Sequence, residues 1–96
     1  MKIVSIFRVS GHSMEPTFRS GQILLVSSIP YFFKKPRIGD VVVVKDPGDK
    51  KLLLKRIIKE DRKTFFVTGD NKDHSRVFGP IKKERILGKI ILRLDL

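Results

Sequence analysis

The sequence predicts a single, mostly β domain with little helix, on three observations. First, the 96 residues fit one domain, and no stretch has the composition of a linker. Second, short runs of β-branched and aliphatic residues recur along the chain, separated by turn-forming residues. Third, helical periodicity is almost missing. The hydrophobic fraction of 41% is enough for a globular core and too high for a disordered chain.

The elements follow in order from this pattern. Six strands are predicted, over residues 3–9, 22–26, 40–45, 52–59, 64–68 and 86–94. Turn chemistry lies between them, at residues 19–21, 47–49, 60–61 and in a long polar stretch over 69–80. Two single helical turns are expected, at residues 14–19, where Pro16 lies near the start, and at residues 82–85.

Composition excludes several kinds of site. The chain contains no cysteine, which rules out disulfides, thiolate metal sites and a cysteine nucleophile. No close-spaced set of histidines and carboxylates predicts a metal site, and no cofactor is expected. No run approaches the roughly 20 apolar residues that span a bilayer, and residues 3–9 are too short for a secretory signal. Any membrane contact is therefore expected from the surface, with peripheral and cytoplasmic locations both open.

The net charge of +11 has three interpretations: binding of nucleic acid, attraction to anionic lipid, or solubility. Segment 29–35, which begins with Ile29 and ends with Lys35, places three aromatic residues before two lysines. Such a segment can lie at a lipid headgroup boundary. The alternative is that Tyr31 and Phe33 cover the core while Phe32 packs under a loop.

Two short segments carry candidate chemistry. Ser13 lies in a Gly- and Pro-containing turn that can hold its hydroxyl outward and leave backbone N–H groups free for an oxyanion. Gly, Ser and Pro also cluster in ordinary turns, so this turn by itself does not indicate a nucleophile.

Lys55 lies in an apolar strand, and by alternation it shares a side with Leu53 and Ile57. Desolvation there would lower the pKa of the lysine, as a general base requires. The alternative is a lysine whose charged end reaches water at a strand edge.

Several segments together resemble the ordered boxes of type I signal peptidases, in the S26 family of serine peptidases. They are Gly-His-Ser-Met-Glu-Pro-Thr at 11–17, Ile-Gly-Asp-Val-Val-Val at 38–43, Leu-Lys-Arg-Ile-Ile at 54–58, Gly-Asp-Asn at 69–71, Ser-Arg at 75–76 and Phe-Gly at 78–79. The resemblance covers about residues 10–94. It implies a coiled β-sheet fold shared with the self-cleaving domain of LexA-type repressors, so that residues 1–96 form one catalytic domain.

The resemblance also implies roles for individual residues. Ser13 matches the nucleophile and Lys55 the base of the bacterial Ser/Lys form, and Met14 and Pro16 shape the turn around Ser13. The backbone N–H of Ser13 is expected to bind the oxyanion. Some relatives add a hydroxyl at the position of Gly11, which offers none here.

Further roles are implied for residues in the polar stretch over 69–80. Asp70 and Asn71 match the box that buttresses the site, and Ser75 matches a serine that hydrogen-bonds the base lysine. The expected Asp-Ser-Arg reads His74-Ser-Arg here, so the ion pair to Arg76 is expected to be lost or taken by Asp73. The two histidines, His12 and His74, are expected to be surface residues.

The implied function is removal of a signal or leader peptide from a pre-protein, which is bound as an extended strand at a sheet edge. Residues 6–9 are the candidate edge. A soluble precursor, as for the proteases that mature nickel superoxide dismutase, is the alternative substrate. A non-enzymatic, basic β-barrel that binds nucleic acid is the alternative from another class. Nucleic acid is not expected, because the aromatics cluster in one segment and do not alternate with basic residues along strands.

Overall fold

Seven strands form one curled antiparallel sheet in the computed structural model, which describes residues 3–94. In chain order the strands are β1 (Val4–Arg8), β2 (Ile23–Ser27), β3 (Val41–Lys45), β4 (Leu52–Asp61), β5 (Thr64–Thr68), β6 (Phe78–Lys82) and β7 (Ile86–Leu94). Their order in the sheet is β1-β2-β7-β3-β4-β5-β6. The mostly β fold and all six predicted strands are confirmed, with bounds that agree within two residues.

Strand β6 is the element that sequence patterning missed, because it lies partly inside the stretch predicted as polar turn. Gly79 and Pro80 at its centre are turn-forming residues, and they conceal the strand. The structure places β6 at the sheet edge, where it pairs only with β5. An edge strand tolerates proline because one side of its backbone needs no hydrogen-bonding partner within the sheet.

Helical structure within residues 3–94 is confined to short pieces. A four-residue helix, α1 (Pro30–Phe33), begins with proline, and single 3₁₀ turns cover Lys72–His74 and Lys83–Arg85. The helical turn predicted at 82–85 is therefore confirmed. The one predicted at 14–19 consists of a single hydrogen bond, from Phe18 N to Met14 O at 3.0 Å. No helix in the described part of the chain is long and apolar enough to cross a bilayer.

Two hydrophobic clusters pack on opposite faces of the sheet. The first contains Val9, Met14, Phe18, Leu24, Val26, Val43 and Leu54. The second contains Val42, Val44, Ile57, Phe65, Val67, Ile81 and Ile86. Successive residues of a strand face opposite sides, so β3 and β4 contribute to both clusters. Along β4, Lys55 thus lies between Leu54 of the first cluster and Ile57 of the second.

In segment 29–35, the burial of the three aromatic side chains departs from the interpretation in which they cover the core. Tyr31 does pack against the second cluster, but Phe32 and Phe33 are 64% and 82% exposed. The expectation that Phe33 covers the core and Phe32 packs under a loop is therefore wrong. Both rings belong to α1, a single helical turn that packs against the sheet through Tyr31 and leaves Phe32 and Phe33 facing outward.

Candidate active site

Ser13 and Lys55 meet in the structure although 42 residues separate them in the chain. Lys55 Nζ donates a hydrogen bond to Ser13 Oγ at 3.2 Å. Ser13 belongs to the turn that follows β1, and Lys55 comes from the middle of β4. A distance of 3.2 Å is at the upper end of the range over which a base can take a proton directly.

The amine of Lys55 is buried without an acidic partner. The residue is only 7% exposed, and within residues 3–94 no carboxylate forms an ion pair with it. Burial lowers the pKa of the amine, and the nearby positive charge of Arg76 lowers it further. Both effects disfavour the protonated form and so favour the neutral amine that general-base catalysis needs.

The side on which Lys55 lies agrees with the one predicted from strand alternation. Its register partner is Val42, a member of the second cluster, and Ile57 and Leu53 pack in the same cluster. Phe78 covers the amine, with its ring centroid 5.3 Å from Nζ. The lysine is therefore held in an apolar environment, and it is not a lysine with its charged end in water.

The turn that carries Ser13 is anchored by the residue that follows it. Met14 is only 1% exposed and packs in the first cluster. Glu15 N donates to His12 O at 3.2 Å, which closes the turn, and Pro16 follows. Gly11 has a φ of +80°, a left-handed conformation that side chains disfavour. Anchoring Met14 in the core leaves the hydroxyl of Ser13 facing Lys55.

A loop from Gly69 to Ser75 holds the backbone of the nucleophile. Ser13 O accepts hydrogen bonds from Asn71 N at 2.8 Å and from Ser75 Oγ at 3.0 Å. Asn71 Nδ2 also donates to His12 O at 2.9 Å. A Cβ at Gly69 would collide with Ser13 O and Ser75 Oγ, so the close approach of the loop requires glycine. This arrangement supports the buttressing role expected for Asn71.

One expected contact in this loop is replaced by another, and of the two outcomes expected for the ion pair to Arg76 the described residues show its loss. The Ser75 hydroxyl donates to the Ser13 carbonyl, and its hydrogen bond does not go to the amine of Lys55. Arg76 forms no ion pair with Asp73 or with any other acid in the described residues. Its guanidinium instead lies over the Phe78 ring, 4.9 Å from the centroid. Phe78 thus contacts two cations, Lys55 and Arg76.

Sequence reasoning missed the ion pair that ties the loop to the sheet. Arg56 Nε and Nη2 donate to the two carboxylate oxygens of Asp70, each at 2.8 Å, and Thr17 Oγ1 donates to the same group at 2.6 Å. Hydrogen bonds from Arg56 lower the pKa of Asp70, and those bonds raise the pKa of Arg56. Strand alternation was the available signal, since Arg56 must face away from Lys55.

The histidines lie outside the Ser13–Lys55 contact. His12 Nδ1 is 3.0 Å from Glu15 Oε2, and the His12 and His74 rings are 6.1 Å apart at their centroids. Both residues are exposed, as predicted. Within residues 3–94, no group of histidine and carboxylate side chains is arranged to hold a metal ion.

A cleft opens beside the two candidate residues. Its cavity of about 170 Å³ is lined by Phe7, Val9, Ser13, Met14 and residues 51–55 of β4 and the turn before it. A second cavity of about 210 Å³ shares Phe7 and Leu52 with it and is walled mainly by apolar side chains. Within residues 3–94, strand β1 pairs only with β2, so its outer edge is unpaired, and Phe7 of this strand lines both cavities.

Comparison with known sequences identifies the family. The sequence model of the family "Signal peptidase, peptidase S26" matches residues 1–59, which is more than half of the chain. This chain belongs to the S26 signal peptidase family. The matched range of this S26 peptidase contains both Ser13 and Lys55 and ends before the loop that buttresses them.

Curated relatives of this S26 peptidase agree with the assignment. It is 34% identical to "Mitochondrial ATP-independent inner membrane protease subunit 1a" of Arabidopsis thaliana, over 96% of this chain and 71% of that protein. It is 33% identical to "Mitochondrial inner membrane protease subunit 1" of Xenopus tropicalis, over 88% and 65%. It is 28% identical to "Signal peptidase I V" of Bacillus subtilis, over 88% and 82%. No solved structure matches significantly.

These similarities establish the class of activity. The S26 peptidase is a serine endopeptidase of the type that removes leader peptides. The non-enzymatic interpretation as a nucleic-acid-binding barrel is therefore set aside.

Proposed function

We propose that this peptidase cleaves leader peptides with Ser13 as nucleophile and Lys55 as general base. The observation that supports the proposal is the hydrogen bond between Lys55 Nζ and Ser13 Oγ, made by a buried lysine without an acidic partner. A lysine that served only to stabilise the fold would be expected to pair with a carboxylate, because burying an unpaired charge is costly.

The reaction follows from this pair. Neutral Lys55 takes the proton of Ser13 Oγ as the oxygen attacks the scissile carbonyl, and the tetrahedral intermediate forms. The protonated amine then gives its proton to the leaving nitrogen, so the peptide bond breaks and an ester to Ser13 remains. A water molecule, deprotonated by Lys55, attacks the ester, and the proton returns to Ser13 Oγ as the acid product leaves.

Backbone N–H groups supply the oxyanion site in this proposal. The N–H of Ser13 has no hydrogen-bonding partner within residues 3–94, so it is available to the developing negative charge. Gly11 adds no hydroxyl beside it. The site therefore depends on a backbone donor, whose direction is set by the hydrogen bonds of the surrounding turn.

The substrate is proposed to lie extended between β1 and the start of β4. The unpaired edge of β1 offers main-chain hydrogen bonds, and residues 52–54 line the opposite wall of the cleft. A cavity of about 170 Å³ beside Ser13 suits small side chains just before the cut. Relatives named as signal peptidase and inner membrane protease make pre-proteins the first substrates to present.

The test is cleavage of a pre-protein by variants of both residues. Ser13→Ala and Lys55→Ala are expected to abolish cleavage. The matched controls Ser20→Ala and Lys59→Ala, which change an exposed serine and an exposed lysine of β4, are expected to retain it. Mass spectrometry of the products locates the cut. Cleavage at the same bond by either Ser13→Ala or Lys55→Ala would refute the assignment.

A further inference from the structure

Segment 29–38, which comprises α1 and the residues that lead into β3, exposes several large apolar side chains. They are Ile29, Phe32, Phe33 and Ile38. Single exposed apolar residues are ordinary, but four within ten residues form a patch of the kind that marks an interaction surface. None of these four side chains lies in either core cluster. Packing within the fold therefore does not account for them.

A basic cavity adjoins the patch. It measures about 280 Å³, and its lining includes Phe33, Lys34, Arg37 and Lys89. Lys89 Nζ is paired with Asp40 at 3.3 Å. Lys34 and Arg37 have no carboxylate partner among the described residues. The cavity therefore presents two uncompensated positive charges beside exposed aromatic rings.

The cavity is held in shape by hydrogen bonds at its base. Tyr31 Oη donates to Asp40 Oδ2 at 2.7 Å, and Arg37 N donates to the same oxygen at 3.1 Å. Lys35 Nζ is tied to Glu60 on β4 at 3.1 Å. These contacts fix α1 against the sheet, so the exposed rings and the free cations keep a constant relation to one another.

We propose that segment 29–38 with Lys89 is a docking site for an anionic phospholipid bilayer. Phe32 and Phe33 would enter the boundary between headgroups and acyl chains, and Lys34 and Arg37 would contact lipid phosphates. A free phosphate would use the cations but not the exposed rings. A bilayer uses both, and the net charge of +11 adds attraction to an anionic surface. The site uses α1, the residues that follow it and Lys89 of β7, and it stands independently of the Ser13–Lys55 chemistry.

The experiment is co-sedimentation of the purified chain with vesicles of phosphatidylcholine alone or mixed with phosphatidylglycerol. Binding is expected only with the anionic lipid. Lys34→Gln/Arg37→Gln removes two charges and is expected to weaken binding by at least about tenfold, since each basic residue at the surface contributes substantially. Phe32→Ser/Phe33→Ser is expected to weaken it by a similar factor. Both rings are exposed, so unfolding in urea should be unchanged.

The matched control is Lys45→Gln/Lys50→Gln, which removes the same charge from exposed positions at the end of β3 remote from segment 29–38 and in the turn that follows it. Its binding should change by less than about threefold, because distant surface charges are screened. An equal loss in this control, or equal binding to neutral vesicles, would overturn the proposal. So would full competition by soluble glycerol phosphate, which would indicate a free-phosphate site.

A protein partner is a further outcome that would contradict the bilayer. If the parent chain self-associates on a sizing column and Phe32→Ser/Phe33→Ser abolishes this without altering vesicle binding, the patch is an interface between copies. Cleavage of a short soluble peptide is measured in parallel and reports only on the reaction at Ser13. Failure of vesicle binding and failure of the proposed function are thereby distinguished.

Discussion

Lys55 and Arg56 are adjacent cations of β4 that meet opposite environments. Lys55 is buried beside Ser13 and Phe78 without an acid, and its pKa is lowered. Arg56 faces the other side, holds both oxygens of Asp70, and has a raised pKa. One strand thus places a buried cation without an acidic partner next to a cation held in an ion pair.

The difference teaches how neighbouring charges in a strand acquire separate tasks. A carboxylate partner stabilises a cation and keeps it protonated, whereas burial without such a partner favours deprotonation. Alternation of side chains separates the two environments, although the residues are covalent neighbours. Substitutions at each position should therefore affect different measurements, activity for Lys55 and stability for Arg56.

The largest expected effect is on activity, from Lys55→Met. Methionine keeps much of the volume but cannot accept a proton, so kcat/KM should fall by about 10²- to 10⁴-fold. The free energy of unfolding in urea should be unchanged or higher, since an unpaired buried amine is removed. Arg56→Met serves as the paired comparison. If Lys55→Met retained activity within about tenfold, the contrast between the two cations would be lost.

A smaller effect, on stability, is expected from Asp70→Asn and from Arg56→Met. Each removes charge-assisted hydrogen bonds between the loop and β4, and should lower the free energy of unfolding by about 2 kcal/mol. Urea unfolding at pH 7 measures this. Because the pair also positions the loop beside Ser13, kcat/KM should fall only modestly. Loss of activity without loss of stability would contradict the structural role.

The pH dependence of that stability has a definite sign. The pKa of Asp70 is lowered in the folded protein by hydrogen bonds from Arg56 and Thr17, against the raising effect of burial. Its contribution is therefore fully present above the unfolded carboxyl pKa of about 3.9 and is lost as the pH falls through the lower folded value. The stability difference between the parent and Asp70→Asn should be full at pH 7 and should shrink below about pH 4.

The smallest expected effect is a shift in the pH profile, from Arg76→Gln. Burial is the larger cause of the lowered pKa of Lys55, and the charge of Arg76 adds to it. Removing that charge should raise the pKa of Lys55 and move the acid limb of kcat/KM to higher pH. Arg62→Gln, in an exposed turn, is the control. A shift to lower pH, or none, would show that Arg76 does not act on the base.

Much of the architecture was predictable from local patterns. The six predicted strands follow from β-branched runs between turn residues, and strand alternation correctly placed Lys55 beside Leu53 and Ile57. Strand β6 was not predictable in this way, since Gly79 and Pro80 carry turn chemistry that only an edge position reconciles with a strand.

The contact between Ser13 and Lys55 was predictable, and the contacts around it were less so. Motif order indicates both residues, and strand alternation indicates the side on which Lys55 lies. Strand alternation gives the side that Arg56 faces. Its pairing with Asp70 and the placement of Phe78 over Lys55 depend on how distant segments cross, which no local pattern encodes. The contact expected for Ser75 differed, because the loop approaches the Ser13 backbone closely at Gly69 and the Ser75 hydroxyl donates to the Ser13 carbonyl there.

The hydrogen bond from Asn71 to His12 O also orients the backbone N–H of Ser13. Asn71 Nδ2 donates a hydrogen bond to His12 O, and the peptide unit that joins His12 to Ser13 is rigid and planar. In a trans peptide unit the oxygen and the amide hydrogen point in opposite directions, so fixing one end aims the other. The side-chain amide of Asn71 thereby sets the direction of the Ser13 N–H, which is the donor proposed to hydrogen-bond the oxyanion during peptide cleavage.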